Sequence, residues 1–422
     1  MRILHTADWH LGKTLEGRDR SEEQYRVMAE ICEIAEEEAV DLVLIAGDVY
    51  QTVNPPAWAE NLFYETIHRL SNFGKRAVVV ISGNHDNPER IRAANPLADK
   101  QGVYLVGLPK DELTPSKLPR PHSVQAVAAR TGLLELAVPT CAHHAVLALL
   151  PYPSEARLQE LLSASAEVSD IRAAYSERIG QWFAAQEAYF RPDTVNVAMS
   201  HLFVHGGQES DSERQIQLGG AYAVEADKLP RTAHYVALGH LHRPQKVAAA
   251  LAPTRYAGSP LAYSFSEAGQ EKSVVLIEAE PGKSATTRLI RLTSGRPLMR
   301  WEVTGGLTQL DTWCSEGKDA EAWIDLELHV PHPLSQEDIR RVRKMHRGFV
   351  HIRPVFPEGE AETEHVRTPE AKRPEALFRR FYNERTGGEP REAVVDLFLE
   401  LLHEEADVDG TDSRKEVADE AS

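Results

Sequence analysis

The segment AVVVISGNHD, residues 77–86, joins a run of apolar, mostly β-branched residues directly to polar side chains that can bind a metal ion. The first six residues are typical of a strand that is buried on both faces. Gly83 then permits a tight turn, and Asn84, His85 and Asp86 follow at once. The segment predicts a buried strand whose carboxyl end carries a functional site.

The same arrangement recurs at four further predicted strand ends. Metal-binding side chains follow each strand: Asp8 and His10 after Arg2–Ala7, Asp48 after Val40–Ala46, His201 after Thr194–Ser200, and His240 and His242 after Tyr235–Leu238. In an open α/β sheet the carboxyl ends of the strands face one crevice, so we expect these distant segments to converge. One such motif arises by chance in many chains, whereas the ordered set indicates a binding site.

The types of donor indicate which ions this site binds. Carboxylate, amide and imidazole groups without thiolate suit Mn²⁺, Fe²⁺ or Zn²⁺. The donors exceed what one ion needs, so the sequence predicts two ions that share one carboxylate. Two ions close together can activate a water molecule and stabilise in-line displacement at phosphorus. The pattern therefore favours hydrolysis of a phosphate ester.

In this order, the motifs resemble those of the calcineurin-like metallophosphoesterase superfamily, and more specifically its SbcD family of double-strand-break repair nucleases. The resemblance is close over about residues 1–280 and is carried by HTADWHLGKTLEGRDR (5–20), IAGDVYQTVNPP (45–56), SGNHDNPERI (82–91), SHLFVHGGQESDSERQIQLGG (200–220), GHLHRPQ (239–245) and YAGSPLAYSFSEAGQEKSVVLIE (256–278). It implies an α/β fold: a metallophosphoesterase β-sandwich flanked by helices, a small α+β capping module and a C-terminal helical hairpin.

The resemblance also implies a role for each residue of the site. One Mn²⁺ ion would be held by Asp8, His10, Asp48 and His242, and a second by Asp48, Asn84, His201 and His240. His85 would be the catalytic residue, stabilising the transition state and helping to protonate the leaving oxygen, a task that suits the near-neutral pKa of imidazole. Asp86 would orient His85.

The activity and partners implied by the resemblance concern DNA. They are 3′–5′ exonuclease action on duplex ends and endonuclease action on single strands or hairpins, in repair, replication and recombination. The chain would act with an SbcC-like SMC-type ATPase, as a homodimer within a heterotetramer.

Changes in composition divide the chain into four segments. We expect a nuclease domain over 1–281 and an α+β capping, DNA-contacting domain over 282–356. A linker and a helical hairpin that binds the ATPase would occupy 357–403, and the acidic segment 404–422 is expected to be disordered. Near the start of the chain, the sequence SEEQ at 21–24 predicts a capping box that opens the first helix.

Several basic residues are candidates for contact with the DNA backbone. They are Arg18 and Arg20 near the first metal loop, Arg90 and Arg92 after the GNHD motif, and Arg340, Arg341, Arg343, Lys344 and Arg347 on a predicted helix of the capping domain. For each of the first four, an ordinary solvated surface is an equal alternative. For the denser helical cluster, DNA contact is the favoured interpretation and a solvated helix face is the alternative.

The C-terminal hairpin has more apolar surface than two short helices can bury between themselves. Its candidate partner-binding residues are Leu377, Phe378, Phe381, Val394, Leu397, Phe398 and Leu401. Apolar residues at helical spacing are used for docking between helices, and the resemblance implies docking onto the coiled coil of the ATPase. Packing on this chain's own domains is the alternative.

Composition restricts the class of protein. The net charge of −17 excludes a polycation that wraps nucleic acid, but leaves room for a local basic surface. Cys32, Cys141 and Cys314 are far apart and form no CxxC pair, which fits a reducing compartment. We find no signal-like or membrane-spanning apolar run and expect a cytoplasmic protein.

Two other functions remain open on the sequence alone. One is hydrolysis of a small phosphodiester or a phosphoprotein, against which the segments after residue 281 and the aspartate after GNH both weigh. The other is an inactive scaffold within an ATPase complex, against which the intact set of ligands weighs.

Overall fold

A computed structural model describes residues 1–116, 122–162, 167–213, 222–356 and isolated positions between 378 and 398. The helices of the continuous part are α1 Ser21–Glu37, α2 Ala57–Leu70, α3 Pro88–Arg92, α4 Asn95–Ala98, α5 Glu155–Leu158, α6 Val168–Glu187, α7 Gly306–Ser315 and α8 Gln336–Met345. The strands are β1 Arg2–Thr6, β2 Leu42–Ala46, β3 Ala77–Ile81, β4 Val103–Val106, β5 Gln125–Arg130, β6 Leu133–Ala137, β7 Ala145–Leu150, β8 Val195–His201, β9 Phe203–Val204, β10 Ala223–Val224, β11 Tyr235–Gly239, β12 Gln245–Lys246, β13 Thr254–Tyr256, β14 Ser273–Glu278, β15 Thr286–Arg291, β16 Leu298–Val303, β17 Trp323–His329 and β18 Phe349–Val355.

Two large β-sheets pack face to face. The first has the order β15-β14-β1-β2-β3-β4 and the second the order β12-β13-β11-β8-β7-β6-β5. Their facing sides share one apolar core, to which Leu44 and Val79 contribute from the first sheet and Leu147 and Val197 from the second. This β-sandwich confirms the predicted fold class.

The sandwich corrects one expectation about the layout of the site. The sequence patterns predicted that the metal-binding strands would share an open sheet, but β1, β2 and β3 belong to the first sheet, whereas β8 and β11 pair with each other in the second. Buried strands read as continuous apolar runs in either sheet, so the pattern does not reveal which strands are neighbours. The segments still converge, because these strand ends meet at one edge of the sandwich.

Helices cover the outer faces of both sheets. Ile31 of α1 and Phe63 of α2 pack with Val43 on the outside of the first sheet. On the outside of the second sheet, α6 contributes Ile179 and Phe183 to another apolar cluster. The central strands of each sheet are therefore covered on both faces, which explains why β2 and β3 have no exposed residue.

The start of α1 differs from the predicted capping box. Ser21 is the first helical residue rather than the N-cap, and its amide and hydroxyl both donate to the carboxylate of Asp19, at 3.0 and 2.8 Å. Gln24 is drawn away from the helix end, because its side-chain amide donates to the His10 carbonyl (3.1 Å) and its oxygen accepts from the Gly12 amide (3.0 Å). The side chain that was expected to cap the helix instead holds the loop after β1.

A small α+β module follows the sandwich. Strands β16, β17 and β18 form a parallel sheet, and one of its faces packs on α7 and α8 around Trp301, Ile324 and Val342. Residues Met1–Val330 and Leu334–Val355 form one compact unit, and the described residues after Val355 belong to a second unit. The predicted boundary at 281/282 stays a prediction.

Among the residues that the structure describes, no helix is long and apolar enough to cross a membrane.

Candidate metal centre

The loops that follow β1 and β2 are bonded to each other at the carboxyl edge of the first sheet. The Asp8 amide donates to the Gly47 carbonyl (3.0 Å), and the His10 amide donates to the Asp48 carbonyl (2.9 Å). These backbone bonds fix both loops, so the side chains of Asp8, His10 and Asp48 are buried next to one another.

Two glycines allow the polypeptide to pass close to this centre. A Cβ atom on Gly83 would lie 2.0 Å from Asp48 Oδ1, and one on Gly239 would lie 1.8 Å from the Ala46 carbonyl oxygen. Gly239 ends β11 in the second sheet and Ala46 ends β2 in the first. The missing side chain lets the two sheets approach each other where the ligands converge.

One group of donors comes from the first metal loop and the GHLH segment. Donor atoms of Asp8, His10 and His242 all lie within 4.8 Å of one another. The Nε2 atoms of His10 and His242 are 3.0 Å apart, and His10 Nε2 lies 3.6 Å from Asp48 Oδ2. We call Asp8, His10 and His242 the first donor group.

A second group lies on the other side of Asp48. Asn84 Oδ1 is 2.8 Å from His201 Nε2 and 3.4 Å from His240 Nδ1, and His201 Nε2 is 3.5 Å from Asp48 Oδ2. We call Asn84, His201 and His240 the second donor group. Asp48 lies between the two groups, and it is the residue that the resemblance implies as a shared carboxylate.

Burial favours the neutral, metal-binding form of three of these histidines, His10, His201 and His240. It holds the pKa of His10 and of His240 well below the usual range, helped by repulsion from His242 and His201 respectively. Burial also lowers the pKa of His201, although the charge of Asp48 opposes this shift. Neutral imidazoles with free lone pairs are the expected state near pH 7.

The two buried carboxylates respond differently to their surroundings. Burial, with repulsion from Asp48, raises the pKa of Asp8 well above its usual range. Burial acts on Asp48 in the same direction, but its neighbouring histidines, His201 first and His85 next, lower its pKa below the usual value. Asp48 is therefore the more readily ionised of the pair, which suits a carboxylate placed between two cations.

The donor set fits divalent metal ions. His10 Nδ1 and His240 Nε2 are buried and have no hydrogen-bond partner among the described residues. Carboxylates, an amide oxygen and neutral imidazoles without thiolate suit Mn²⁺, Fe²⁺ or Zn²⁺. The two groups on either side of Asp48 provide enough ligands for two ions.

His85 lies beside the first donor group with one ring nitrogen fixed. Its ring centroid is 4.8 Å from that of His10, and its backbone amide donates to Asp48 Oδ1 (2.9 Å). His85 Nδ1 lies 2.9 Å from the Gln51 carbonyl oxygen, so Nδ1 is the protonated nitrogen. Nε2 takes no part in this hydrogen bond.

Asp86 occupies a different position from the one expected for it. Its carboxylate accepts the amides of Val49 (3.1 Å), Tyr50 (2.9 Å) and Gly83 (2.8 Å). It therefore ties together the loops after β2 and β3, whereas the contact that orients the His85 ring comes from Gln51. Burial and the charge of Asp48 raise the pKa of Asp86 to about 6.

Comparison with known proteins supports a family assignment. A family model described as calcineurin-like phosphoesterase matches residues 1–244, and one described as type 5 capsule protein repressor C-terminal domain matches residues 294–386. The SbcD protein of the nuclease SbcCD from Bacillus subtilis strain 168 is 48% identical over 402 residues, covering 95% of this chain and 97% of that protein.

This chain belongs to the SbcD family of calcineurin-like phosphoesterases. The SbcD proteins from Rhodobacter capsulatus and Escherichia coli K12 are more distant. The former is 33% identical, covering 72% of each chain, and the latter is 28% identical, covering 81% of this chain and 80% of that protein. The family assignment confirms the resemblance found in the sequence.

In this member of the SbcD family, the surroundings of the ligands include residues that strand-end reasoning missed. Ser212 and Glu267 contact the outer side of His242, and Lys272 is bonded to Glu267. Arg157 donates to the carbonyls of Gly83 and Asp86, both at 2.8 Å, and so supports the GNHD loop. No local pattern marks these residues, although the first three fall within the segments 200–220 and 256–278 that carry the family resemblance.

The structure separates the candidate DNA-contacting residues of this SbcD-family chain into two sets. Arg20 is buried against Glu23, Arg90 is paired with Glu60 and Arg92 with Asp111. Arg18 donates to the Phe349 carbonyl of the α+β module. By contrast, the side chains on α8 and just after it are exposed: Arg340, Arg341, Arg343, Lys344 and Arg347.

The structure describes only part of the predicted C-terminal hairpin. The rings of Phe378 and Phe398 stack with centroids 4.2 Å apart, and Val394 is exposed. Leu377, Phe381, Leu397 and Leu401 lie outside the described residues, as do the predicted acidic linker and the tail over 404–422.

Proposed function

We propose that this chain is a two-metal DNA nuclease that acts as the SbcD component of an SbcCD-type complex. The observation that carries the proposal is the pair of donor groups on either side of Asp48, with His85 beside them, in a chain 48% identical to the SbcD protein of a nuclease named SbcCD. Mn²⁺ is the proposed ion in both positions. The proposed reactions are 3′–5′ exonuclease action on duplex DNA and endonuclease action on single strands and hairpins.

The proposed chemistry assigns separate tasks to the ions and to the protein. When bound, two divalent ions supply Lewis-acid polarisation of the phosphoryl group and activation of a water nucleophile. The protein holds the donors in place through the bonded loops around Asp8 and Asp48. His85 keeps Nδ1–H on the Gln51 carbonyl, so the proton of its cationic form at Nε2 is available to the leaving oxygen.

A basic cavity supports a path for the DNA backbone. It has a volume of about 680 Å³ and lies between the loop at Glu16–Arg18 and the α+β module, and its lining includes Arg343, His346 and Arg347. Guanidinium groups bind phosphates through paired N–H donors. We propose that Arg18 and the exposed basic residues on α8 contact the DNA backbone, whereas Arg20 has a structural role because it is buried against Glu23.

The proposed protein partner is an SbcC-like SMC-type ATPase, which binds the helical hairpin within 357–403. The proposed assembly is a heterotetramer that contains a homodimer of this chain. Stacking of Phe378 on Phe398 supports an apolar contact between the two helices. Truncation after Glu364 should leave a metal-binding nuclease that no longer co-purifies with the co-expressed ATPase. Retained co-purification would contradict this part of the proposal.

The central experiment is a nuclease assay with added Mn²⁺, using hairpin and duplex substrates. His85→Asn should lower kcat by about 10²–10⁴-fold, the range of a lost general acid, while the bound metal is retained. Asp48→Ala should lose both bound metal and activity. His205→Asn is the matched control, because His205 is exposed, and it should behave as wild type.

The outcomes distinguish the proposal from its alternatives. Activity that survives in both His85→Asn and Asp48→Ala would reject the assignment. Wild-type protein that contains two ions but cleaves no DNA would indicate another phosphoester substrate. Wild-type protein that binds no divalent ion would indicate an inactive scaffold.

A further inference from the structure

The ring of His242 presents its two nitrogens to different surroundings. Nε2 faces His10 Nε2 at 3.0 Å, on the side of the first donor group. Nδ1 faces away from the group and lies 2.5 Å from the hydroxyl oxygen of Ser212. Whatever fixes the Nδ1 side therefore decides whether the Nε2 lone pair is available for a metal ion.

Ser212 connects His242 to a buried ion pair. The Ser212 hydroxyl is 2.5 Å from Glu267 Oε1, and the other carboxylate oxygen of Glu267 accepts from the Lys272 ammonium group. Glu267 is fully buried, and Lys272 is 7% exposed. Lys272 also donates to the His242 carbonyl (2.9 Å) and to the Ser259 hydroxyl (3.0 Å). The ammonium group thus holds the carboxylate against both the ligand loop and the serine.

The buried ion pair sets the donor and acceptor roles along this chain of contacts. An ammonium group only donates, and a carboxylate paired with it only accepts. The Ser212 hydroxyl must therefore donate its hydrogen to Glu267, which leaves its oxygen as the acceptor for His242 Nδ1–H. In this tautomer Nε2 carries the lone pair, so the contacts select the form of His242 that binds metal.

No other candidate ligand in the described part of the chain is held in this way. His201 Nδ1 is 2.9 Å from the Ala46 carbonyl, a backbone group. His10 Nδ1 and His240 Nε2 have no hydrogen-bond partner among the described residues. Among the described histidines of the two donor groups, only His242 is hydrogen-bonded to a side chain outside the groups, and it belongs to the first donor group alone.

Further contacts fix the position of the serine. Lys13 Nζ, from the loop after β1, donates to the Ser212 carbonyl (3.0 Å). The next residue, Glu213, accepts the backbone amide of His242 (2.7 Å). The Ser212–Glu213 segment is therefore bonded to the loops that carry both histidines of the first donor group.

We propose that Ser212, Glu267 and Lys272 form a positioning relay that sets the metal affinity of the first donor group without acting on the second. None of the three is a ligand, and each acts through His242. The inference rests on the metal sites of the proposed function. It adds that the binding affinity for one ion can be lowered without changing the affinity for the other.

Titration of metal-free protein with Mn²⁺, followed by calorimetry, tests the relay. Wild type should bind two ions. In Ser212→Ala, the dissociation constant of one ion should rise by about 10–100-fold, the usual effect of losing the partner of a metal-bound histidine, and the other should stay unchanged. Ser212→Thr retains the hydroxyl and should restore wild-type affinity. Ser266→Ala removes a hydroxyl next to Glu267 that contacts the Asp211 amide, and it should bind both ions as wild type does.

Three results for Ser212→Ala would overturn the relay. The affinity for both ions could be unchanged, or the affinity for both could fall equally. The metal-free variant could also lose its cooperative melting transition, which would show that the Ser212 hydroxyl is needed for folding rather than for positioning His242. The titration does not depend on cleavage of DNA. A wild type that binds two ions but has no nuclease activity would contradict the proposed function and leave the relay standing.

Discussion

Strained backbone conformations occur at residues of the metal centre. Positive φ angles are found at Asp8 (54°), His10 (45°), Asp48 (49°) and His240 (106°). Such conformations cost non-glycine residues about 1–3 kcal/mol each and persist where the surroundings fix them. For Asp8, His10 and Asp48, the backbone bonds between the loops after β1 and β2 provide that restraint, and the His240 amide donates to Asp8 Oδ1 (2.9 Å). The fold itself therefore fixes the positions of these candidate ligands.

Glu135 offers a test of electrostatics at a single residue away from the site. Its carboxylate accepts both guanidinium nitrogens of Arg191, at 2.8 and 3.0 Å, and lies 2.7 Å from His144 Nδ1. The hydrogen bonds from Arg191, with a smaller contribution from His144, lower the pKa of Glu135 to about 2. The pair should therefore stabilise the fold fully above the usual pKa near 4.5 and lose this effect as the pH falls to about 2.

Glu135→Gln should remove this contribution to the pH dependence of the free energy of unfolding. Because Arg191 is 43% exposed, we expect a difference of about 1 kcal/mol or less in the free energy of unfolding. It should be present at pH 6 and vanish near pH 2. Denaturant titrations with chelator present, which keeps metal release out of the comparison, would measure it. Arg191→Gln should show the same loss, and additive effects in the double variant would contradict the assignment to one pair.

At the level of elements, the close approach of the two sheets at Gly239 keeps the candidate ligands from both sheets together. Gly239→Ala would drive a methyl group into the Ala46 carbonyl, where β11 and β2 are in contact, and so separate the ligands of the first sheet from those of the second. We expect a loss of about 3 kcal/mol in the free energy of unfolding, typical of severe overpacking, and loss of bound Mn²⁺. Melting temperature and metal content would measure the two effects.

Gly269→Ala is the matched control for that substitution. Gly269 has a φ of 78° and open space around its Cβ position, so alanine there should cost about 1 kcal/mol in backbone strain and leave the metal bound. If Gly239→Ala retained both ions, the close approach of the sheets would not be needed for the site.

Sequence patterns predicted the elements of the site better than its internal contacts. Apolar runs predicted β2 and β3, and the rule for strand ends brought Asp48 and Asn84 to one place. The patterns did not predict the division into two sheets, because pairing depends on long-range packing. Nor did they predict that Asp86 binds backbone amides or that Ser212 reaches His242, since these contacts depend on loop conformations without a local periodic pattern.

At the scale of the whole molecule, the α+β module is joined to the sandwich by buried polar contacts. Glu23 of α1 is 2% exposed and accepts from Arg20, from the Trp323 indole (2.8 Å) and from the Arg296 amide (2.8 Å). Trp323, the first residue of β17, also packs with Leu15 in an apolar cluster. The contacts agree with the assignment of both parts to one compact unit.

We therefore expect the sandwich and the module to unfold together. Calorimetry of the wild type should show one main unfolding transition for the sandwich and the module together. Trp323→Ala should split this transition into two, because the substitution removes about 3–5 kcal/mol of packing energy at the junction. Trp58→Ala is the control: Trp58 packs on the α1–α2 side of the sandwich, so its loss should lower the transition without splitting it.

Trp323→Ala also tests whether the α+β module serves DNA binding or the chemistry at the metal centre. In Trp323→Ala, hydrolysis of a small chromogenic phosphodiester should stay within about twofold of wild type, because the donor groups and His85 are untouched. Cleavage of duplex DNA should fall by about tenfold, roughly 1.4 kcal/mol of transition-state stabilisation, because the basic residues on α8 are no longer held beside the loop that carries Arg18. Equal loss of both activities would show that the module supports the metal centre itself rather than the path of the DNA.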